Sequence, residues 1–164
     1  MTTVHASDTD PPIVRPATRA DLLAIHRIEK VSFPQPWPFS AFESYVGEPG
    51  FLVAVADDDS DVSVLLGYVV ADTIPNHGTP LGHIKDIAVA PDFRGDGVGR
   101  TLLAQAIDVL EDAGAGSVKL EVRISNEVAI SLYRAFDFEH RRTIPNYYGN
   151  GEDALVMIRT FDSD

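Results

Sequence analysis

The apolar positions of this chain switch between a period near four and a period of two, marking out alternating helices and strands. Ile13-Val14-Arg15 opens as a short strand. Thr18, with Asp21 three residues later, forms an N-cap pair for a helix running to about Val31, where Leu22, Ile25 and Ile28 recur at helical spacing. Phe33-Pro34-Gln35-Pro36-Trp37-Pro38 cannot continue that helix, because prolines lack N–H donors and restrict the residues before them. The segment predicts a stiff loop carrying two large aromatics. A short second helix is expected over 40–46, then two β-branched apolar runs over 51–56 and 62–72. Asp57-Asp58-Asp59-Ser60-Asp61 between those runs predicts an acidic hairpin turn.

A loop over 74–80 leads to a strand over 81–90 that ends at Pro91. The next helix, over 97–113, carries Leu102, Leu103, Ala106, Ile107 and Leu110 on one face and stops at Gly114. In Ser117–Arg123 the side chains alternate, with Val118, Leu120 and Val122 on one side and Lys119, Glu121 and Arg123 on the other. Asn126 caps a helix to about Phe136, and strands over 138–144 and 154–161 flank the Gly149-Asn150-Gly151 turn. The resulting order, β-α-α-β-β-β-α-β-α-β-β, predicts an α/β protein: a mixed sheet with helices packed on it, in one domain over 13–161. Residues 1–12 read as an acidic disordered tail, without the basic and apolar regions of a signal peptide.

Composition narrows the chemistry. There is no cysteine, which excludes disulfides, thiolate metal sites and a cysteine acyl-enzyme. No apolar stretch approaches the roughly 20 residues of a membrane span, so a cytoplasmic protein without membrane contact is expected. The net charge of −12 repels phosphate backbones and disfavours direct nucleic-acid binding. Asp is abundant while Lys is confined to Lys30, Lys85 and Lys119. A halophilic archaeon explains that balance, since molar salt shortens the Debye length to about 3 Å and screens a self-repelling surface. An acidic protein from an ordinary cell explains it too.

The most informative segment is Arg94-Gly95-Asp96-Gly97-Val98-Gly99, placed between a strand and a helix. The first N–H groups of a helix lack internal partners and lie at the positive end of its dipole, so such a turn suits an anion. Gly95, Gly97 and Gly99 let backbone approach a pyrophosphate, and Arg94 and Arg100 add charge-assisted donors. A P-loop is excluded, because Gly99-Arg100-Thr101 lacks the lysine and the glycine spacing is wrong. A dinucleotide fingerprint fails as well, with Arg at position 100 and four strands ahead of the loop. A plain strand-to-helix turn remains the alternative.

These residues resemble the GNAT N-acetyltransferases. Arg94 to Gly99 fits that family's Arg/Gln-x-x-Gly-x-Gly/Ala motif, after the strand Ile87-Ala88-Val89-Ala90-Pro91. Leu120-Glu121-Val122-Arg123-Ile124-Ser125-Asn126, Leu132-Tyr133, Asn146-Tyr147-Tyr148 and Gly151-Glu152-Asp153-Ala154 resemble the RimI type, which acetylates protein N-termini. The resemblance implies the GNAT fold, a central and mostly antiparallel sheet flanked by helices, with acetyl-CoA as donor and no metal. It implies that the pantetheine arm lies along Ile87, Ala88 and Val89, that residues 94–100, with Asp96 and Val98 among them, hold the pyrophosphate, and that Asn126 touches the cofactor. It also implies Glu121 as general base and Tyr133 as general acid. Two departures stand out: Asp96 places a carboxylate in a phosphate loop, and Asp137 replaces a glycine, tolerably because Asp accepts left-handed angles.

The residues alone leave Glu121 as an ordinary polar side chain and Tyr133 as core packing. Chemistry narrows the acceptor. At pH 7 an α-amino group is about 10–20% neutral and a lysine less than about 0.1%, so a modest base serves the first and not the second. Phe33, Trp37, Tyr147 and Tyr148 are candidates for walls of a peptide slot. His83 faces the same region, where a lone histidine is more often structural. The expected acceptors are protein N-termini, on a ribosomal protein or nascent chains. A GNAT enzyme for small amines or lysine, and a non-catalytic acyl-CoA-binding module, are the rivals.

Overall fold

A computed structural model describes residues 12–56 and 64–161 of the chain. The acidic turn expected at 57–61 and, but for Pro12, the tail expected over 1–12 lie outside those residues. The elements run β1 (Ile13–Pro16), α1 (Leu22–Ser32), α2 (Phe39–Tyr45), β2 (Phe51–Ala56), β3 (Val64–Ile74), β4 (Leu81–Val89), α3 (Val98–Asp112), β5 (Ser117–Arg123), α4 (Glu127–Ala135), β6 (Glu139–Ile144) and β7 (Ala154–Thr160). This is the order the periodicities predict. The strands form one sheet in the order β1-β2-β3-β4-β5-β7-β6, mixed because β4 and β5 run parallel while the other pairs are antiparallel.

The element ends follow from local chemistry. Asp21 accepts from Thr18 N at 2.7 Å and closes a short 3₁₀ turn, Arg19–Asp21, that leads into α1. The same carboxylate holds Arg15 of β1 at 2.8 Å, so the cap also ties the helix to the sheet edge. α3 ends where Gly114 takes φ +94°, its N–H donating to Glu111 O at 3.0 Å. After α4, Asp137 adopts φ 68°, the left-handed geometry its short side chain tolerates.

Each face of the sheet buries its own apolar cluster. On one face α3 and α4 cover Leu52, Val69, Ile84, Val118, Leu120 and Val122. On the other, α1 and α2 pack Leu22, Ile25, Ile28 and Phe42 on Phe51, Val53, Tyr68, Val70 and Ala88. The alternation of β5 therefore turns Lys119, Glu121 and Arg123 toward the α1 side.

Two irregularities of β4 create the site. In its pairing with β3, Val70 faces Asp86 and Ala71 faces Ile84, so Lys85 is an extra residue. The bulge reverses the alternation: Ile84 lies in the α3-side cluster and Ala88, of the same parity, in the α1-side cluster. Beyond it β4 leaves β5. The pair runs from Leu81↔Ser117 to Ile84↔Leu120, yet β4 continues to Val89 and β5 to Arg123. The sheet opens along Lys85 to Val89.

Candidate active site

At the head of α3, Gly95 and Gly97 take φ +86° and +85°, conformations that disfavour any side chain. No side chain caps the helix. Its first N–H groups face outward beside Arg94, Asp96 and Arg100, all exposed. Asp96 thus stands in water, which removes the electrostatic objection to a carboxylate in this loop. A Cβ at Gly99 would meet only Val89 Cγ2 at 3.6 Å and Leu132 Cδ2 at 3.7 Å, ordinary contacts. Neither backbone angle nor protein packing demands glycine there. Arg94 is partly engaged: Nε donates to Val89 O at 3.0 Å and an Nη to Ser32 Oγ at 3.0 Å.

Into the opening come side chains from both faces. Glu121 Oε1 lies 2.7 Å from His83 Nε2, and Oε2 lies 3.4 Å from Lys119 Nζ. Burial alone would raise the Glu121 carboxyl. The hydrogen bond and charge of His83, then Lys119, outweigh it and hold Glu121 below the ordinary carboxylate range. From the α3 side, Tyr133 stacks edge-on with Phe138 at 5.9 Å and is 6% exposed. Burial, with Asp86 and Tyr148 nearby, pushes its hydroxyl well above an ordinary phenol. Tyr148 is pushed up to about 12, by burial and by Tyr147, Glu121 and Glu152, against the guanidinium of Arg123 stacked 4.0 Å over its ring. Glu121, Tyr133 and Tyr148 therefore share one neighbourhood.

The four aromatics expected to wall a groove fall into two pairs. Phe33 and Trp37 pack against the α1-side cluster, Trp37 5.2 Å from Phe42 and 6.0 Å from Tyr45. Tyr147 and Tyr148 sit on the loop between β6 and β7, where both N–H groups donate to Glu152 O. Gln35 joins the pairs, its Oε1 accepting from Gly149 N at 3.0 Å. Asn126 caps α4 by accepting from Ala129 N at 3.2 Å, which leaves its exposed amide NH₂ available.

Sequence reasoning passed over part of this site. His83, which the sequence places facing this region as a lone histidine, is the partner of Glu121, and its Nδ1 is buried without a partner among the described residues. Beneath the proline-rich loop over 33–38 lies a buried polar group: Glu29, 1% exposed, accepts from Trp37 N at 2.9 Å and from the Tyr68 hydroxyl, and it contacts Asp86. The spacing of Leu22, Ile25 and Glu29 along α1 already places a carboxylate on the buried stripe. Among the described residues, no three His, Asp or Glu side chains converge to hold a metal ion, and no helix is long and apolar enough to cross a membrane.

The acetyltransferase (GNAT) family profile matches residues 22–138. The chain belongs to the GNAT acetyltransferase family. An N-alpha-acetyltransferase of Sulfolobus acidocaldarius is 36% identical over 88% of this chain and 89% of that protein. The [ribosomal protein bS18]-alanine N-acetyltransferase of Escherichia coli is 34% identical over 84% of this chain and 89% of that protein. The crystal structure of the ribosomal-protein-S18-alanine N-acetyltransferase from Escherichia coli superposes with a TM-score of 0.76 at 30% identity, covering 93% of this chain and 95% of that one. The GNAT fold expected from the glycine loop and its flanking blocks is the fold observed.

Proposed function

We propose that this GNAT enzyme transfers the acetyl group of acetyl-CoA directly to the free α-amino group at a protein N-terminus. One observation carries the reading: the sheet opens between β4 and β5, beside an uncapped helix head, with Glu121 on one face and Tyr133 on the other, both close to Tyr148. The names of the relatives in Sulfolobus acidocaldarius and Escherichia coli favour an N-terminal amine as acceptor. Ribosomal protein tails and nascent chains are the acceptors we infer, in the cytoplasm, with 13–161 as one catalytic domain.

When bound, acetyl-CoA supplies an acetyl group activated as a thioester. The helix head at Gly97, Val98 and Gly99, with Gly95, Arg94 and Arg100, holds its diphosphate, and Asn126 adds a contact. The backbone of Ile87, Ala88 and Val89, which β5 does not pair, aligns its pantetheine arm. Glu121, ionised because His83 and Lys119 stabilise its charge, takes a proton from the α-ammonium through water and leaves a neutral amine to attack. Tyr133, kept protonated by burial, donates to the sulfur as the C–S bond breaks, and the second proton of the attacking nitrogen, shed as the amide forms, restores the phenol through water. Phe33, Trp37, Tyr147 and Tyr148 wall the acceptor slot.

The test pairs acetyl-CoA with peptides whose N-termini are free or blocked, read by mass. Label on free N-termini supports the proposal. Label on lysine alone transfers the enzyme to another GNAT class, and label on no amine leaves an acyl-CoA-binding module. We read the net charge of −12 as salt adaptation, so the melting temperature should climb steeply toward molar KCl. Indifference to salt would return it to an ordinary acidic protein.

A further inference from the structure

The proline-rich acceptor loop has few ways to hold its shape. Its prolines at 34, 36 and 38 carry no N–H, so the Trp37 amide is one of the rare donors by which protein can grip it. That amide donates to Glu29 Oε2 at 2.9 Å. The other Glu29 oxygen accepts from the Tyr68 hydroxyl, and Asp86, turned to this face by the β4 bulge, meets the same carboxyl group. Asp86 Oδ2 is sealed from solvent with no partner among the described residues, and Ile87 N–H faces the Asp86 carboxyl. Two buried carboxyl groups in contact cannot both ionise cheaply.

We propose that Glu29 is the positioning residue of the acceptor loop, and that Asp86 holds it in place by donating a shared proton to it. Glu29 stays the acceptor, with Trp37 N–H, Tyr68 O–H and the Asp86 carboxyl as its three donors. Burial and then Glu29 push Asp86 well above the ordinary carboxylate range, which agrees with a neutral Asp86. Loss of the shared proton sets two carboxylates against each other, frees Trp37 N–H and loosens the loop. The other titratable groups around the pair are Tyr68 of β3, Tyr133 of α4, and the His83–Glu121 pair of β4 and β5. Lys85 stands 5.9 Å over Tyr45, and His26 lies edge-on to Phe39 and Phe42.

The consequence rests on the acceptor reading of this loop, but part of its test does not. Trp37 is the chain's one tryptophan, so its emission reports the loop in the protein without substrates. In a pH titration the wild type should show an emission transition, displaced upward from the ordinary carboxylate range, that Asp86→Asn abolishes and His26→Asn retains. Persistence of the transition in Asp86→Asn, or its loss in His26→Asn, overturns the shared proton. In kinetics, Glu29→Ala should raise KM for an acceptor peptide about tenfold or more while leaving KM for acetyl-CoA unchanged. Glu29→Gln, whose amide oxygen still accepts from Trp37 N–H, should recover most of that loss. A Glu29→Gln enzyme as impaired as Glu29→Ala, or equal losses for both substrates, overturns the positioning role. Should Glu29→Ala fail to fold, Glu29→Gln against wild type and the emission titration carry the test. Failure of the acetylation reading shows separately, as no labelled amine with the emission transition intact.

Discussion

On the α3 side of β4 the site is, Tyr133 apart, made of backbone: left-handed glycines, an uncapped helix head and strand amides that β5 does not pair. On the α1 side it is made of side chains, Glu29 and Tyr68 buried and Asp86, His83 and Glu121 half-buried. In the proposed reaction the first arrangement recognises a feature that never varies, a diphosphate on a pantetheine arm, with donors that need no side-chain ordering on binding. Under the same proposal the second handles protons and admits a chain end, tasks that need titratable groups in low dielectric. Backbone sites fail through conformation and side-chain sites through chemistry. Substitutions should therefore separate the two halves into binding and turnover.

The largest effect should come from Tyr133, where the two halves meet. Tyr133→Phe keeps the packing on Phe138 and removes only the hydroxyl, so turnover should fall by about 10²–10⁴-fold with acetyl-CoA affinity near normal. Steady-state kinetics beside calorimetric binding decides it, and unchanged turnover would remove Tyr133 from the chemistry. Glu121→Gln comes next, with a loss of about tenfold to a hundredfold in turnover and little change in acetyl-CoA affinity. Its pH behaviour has a definite sign. The folded carboxyl lies below its unfolded value, near about 4.3, so its contribution to stability is present above that pH and fades as pH falls through the folded value. Acid melts of the Gln variant should lack that component.

How far each half is legible in the sequence follows the same divide. The glycine loop can be read directly, because alternating glycines between a strand and a helix have few other uses, and Gly95 and Gly97 do take positive φ. The order of the elements is legible because period two and period 3.6 seldom mimic each other over seven or more residues. The β4 bulge is not legible: nothing in Ile84-Lys85-Asp86-Ile87 marks Lys85 as the extra residue, since bulges arise from the pairing of two strands. Without the bulge Asp86 would share a face with Ile84, and its contact with Glu29 could not be foreseen. His83 is an intermediate case. Its face follows from alternation, but its distance from Glu121 depends on the parallel pairing of β4 and β5, which links residues 38 apart in sequence.

Gly97→Ala tests the backbone half. Forcing a Cβ into φ +85° costs about 1–2 kcal/mol, although nothing lies within 4 Å of the added atom. The melting temperature should drop by about 2–8 °C, and acetyl-CoA affinity should fall while turnover at saturation holds. A loss of turnover alone would mean that this loop acts on the reaction rather than on the diphosphate.

Arg94→Ala should give the smallest change, and for that reason it sharpens the comparison most. Arg94 has its guanidinium held by hydrogen bonds to Val89 O and Ser32 Oγ at 3.0 Å each. Both bonds are exposed, so their loss should cost no more than about 1 kcal/mol of stability. If backbone N–H groups supply the grip, removing this guanidinium leaves them in place, and KM for acetyl-CoA should rise by no more than about fivefold. A rise of about a hundredfold would instead assign the diphosphate to a charged side chain, as on the opposite face. The salt dependence of KM separates the two as well. An exposed guanidinium contact weakens as the Debye length shortens, whereas amides on a helix head lose less.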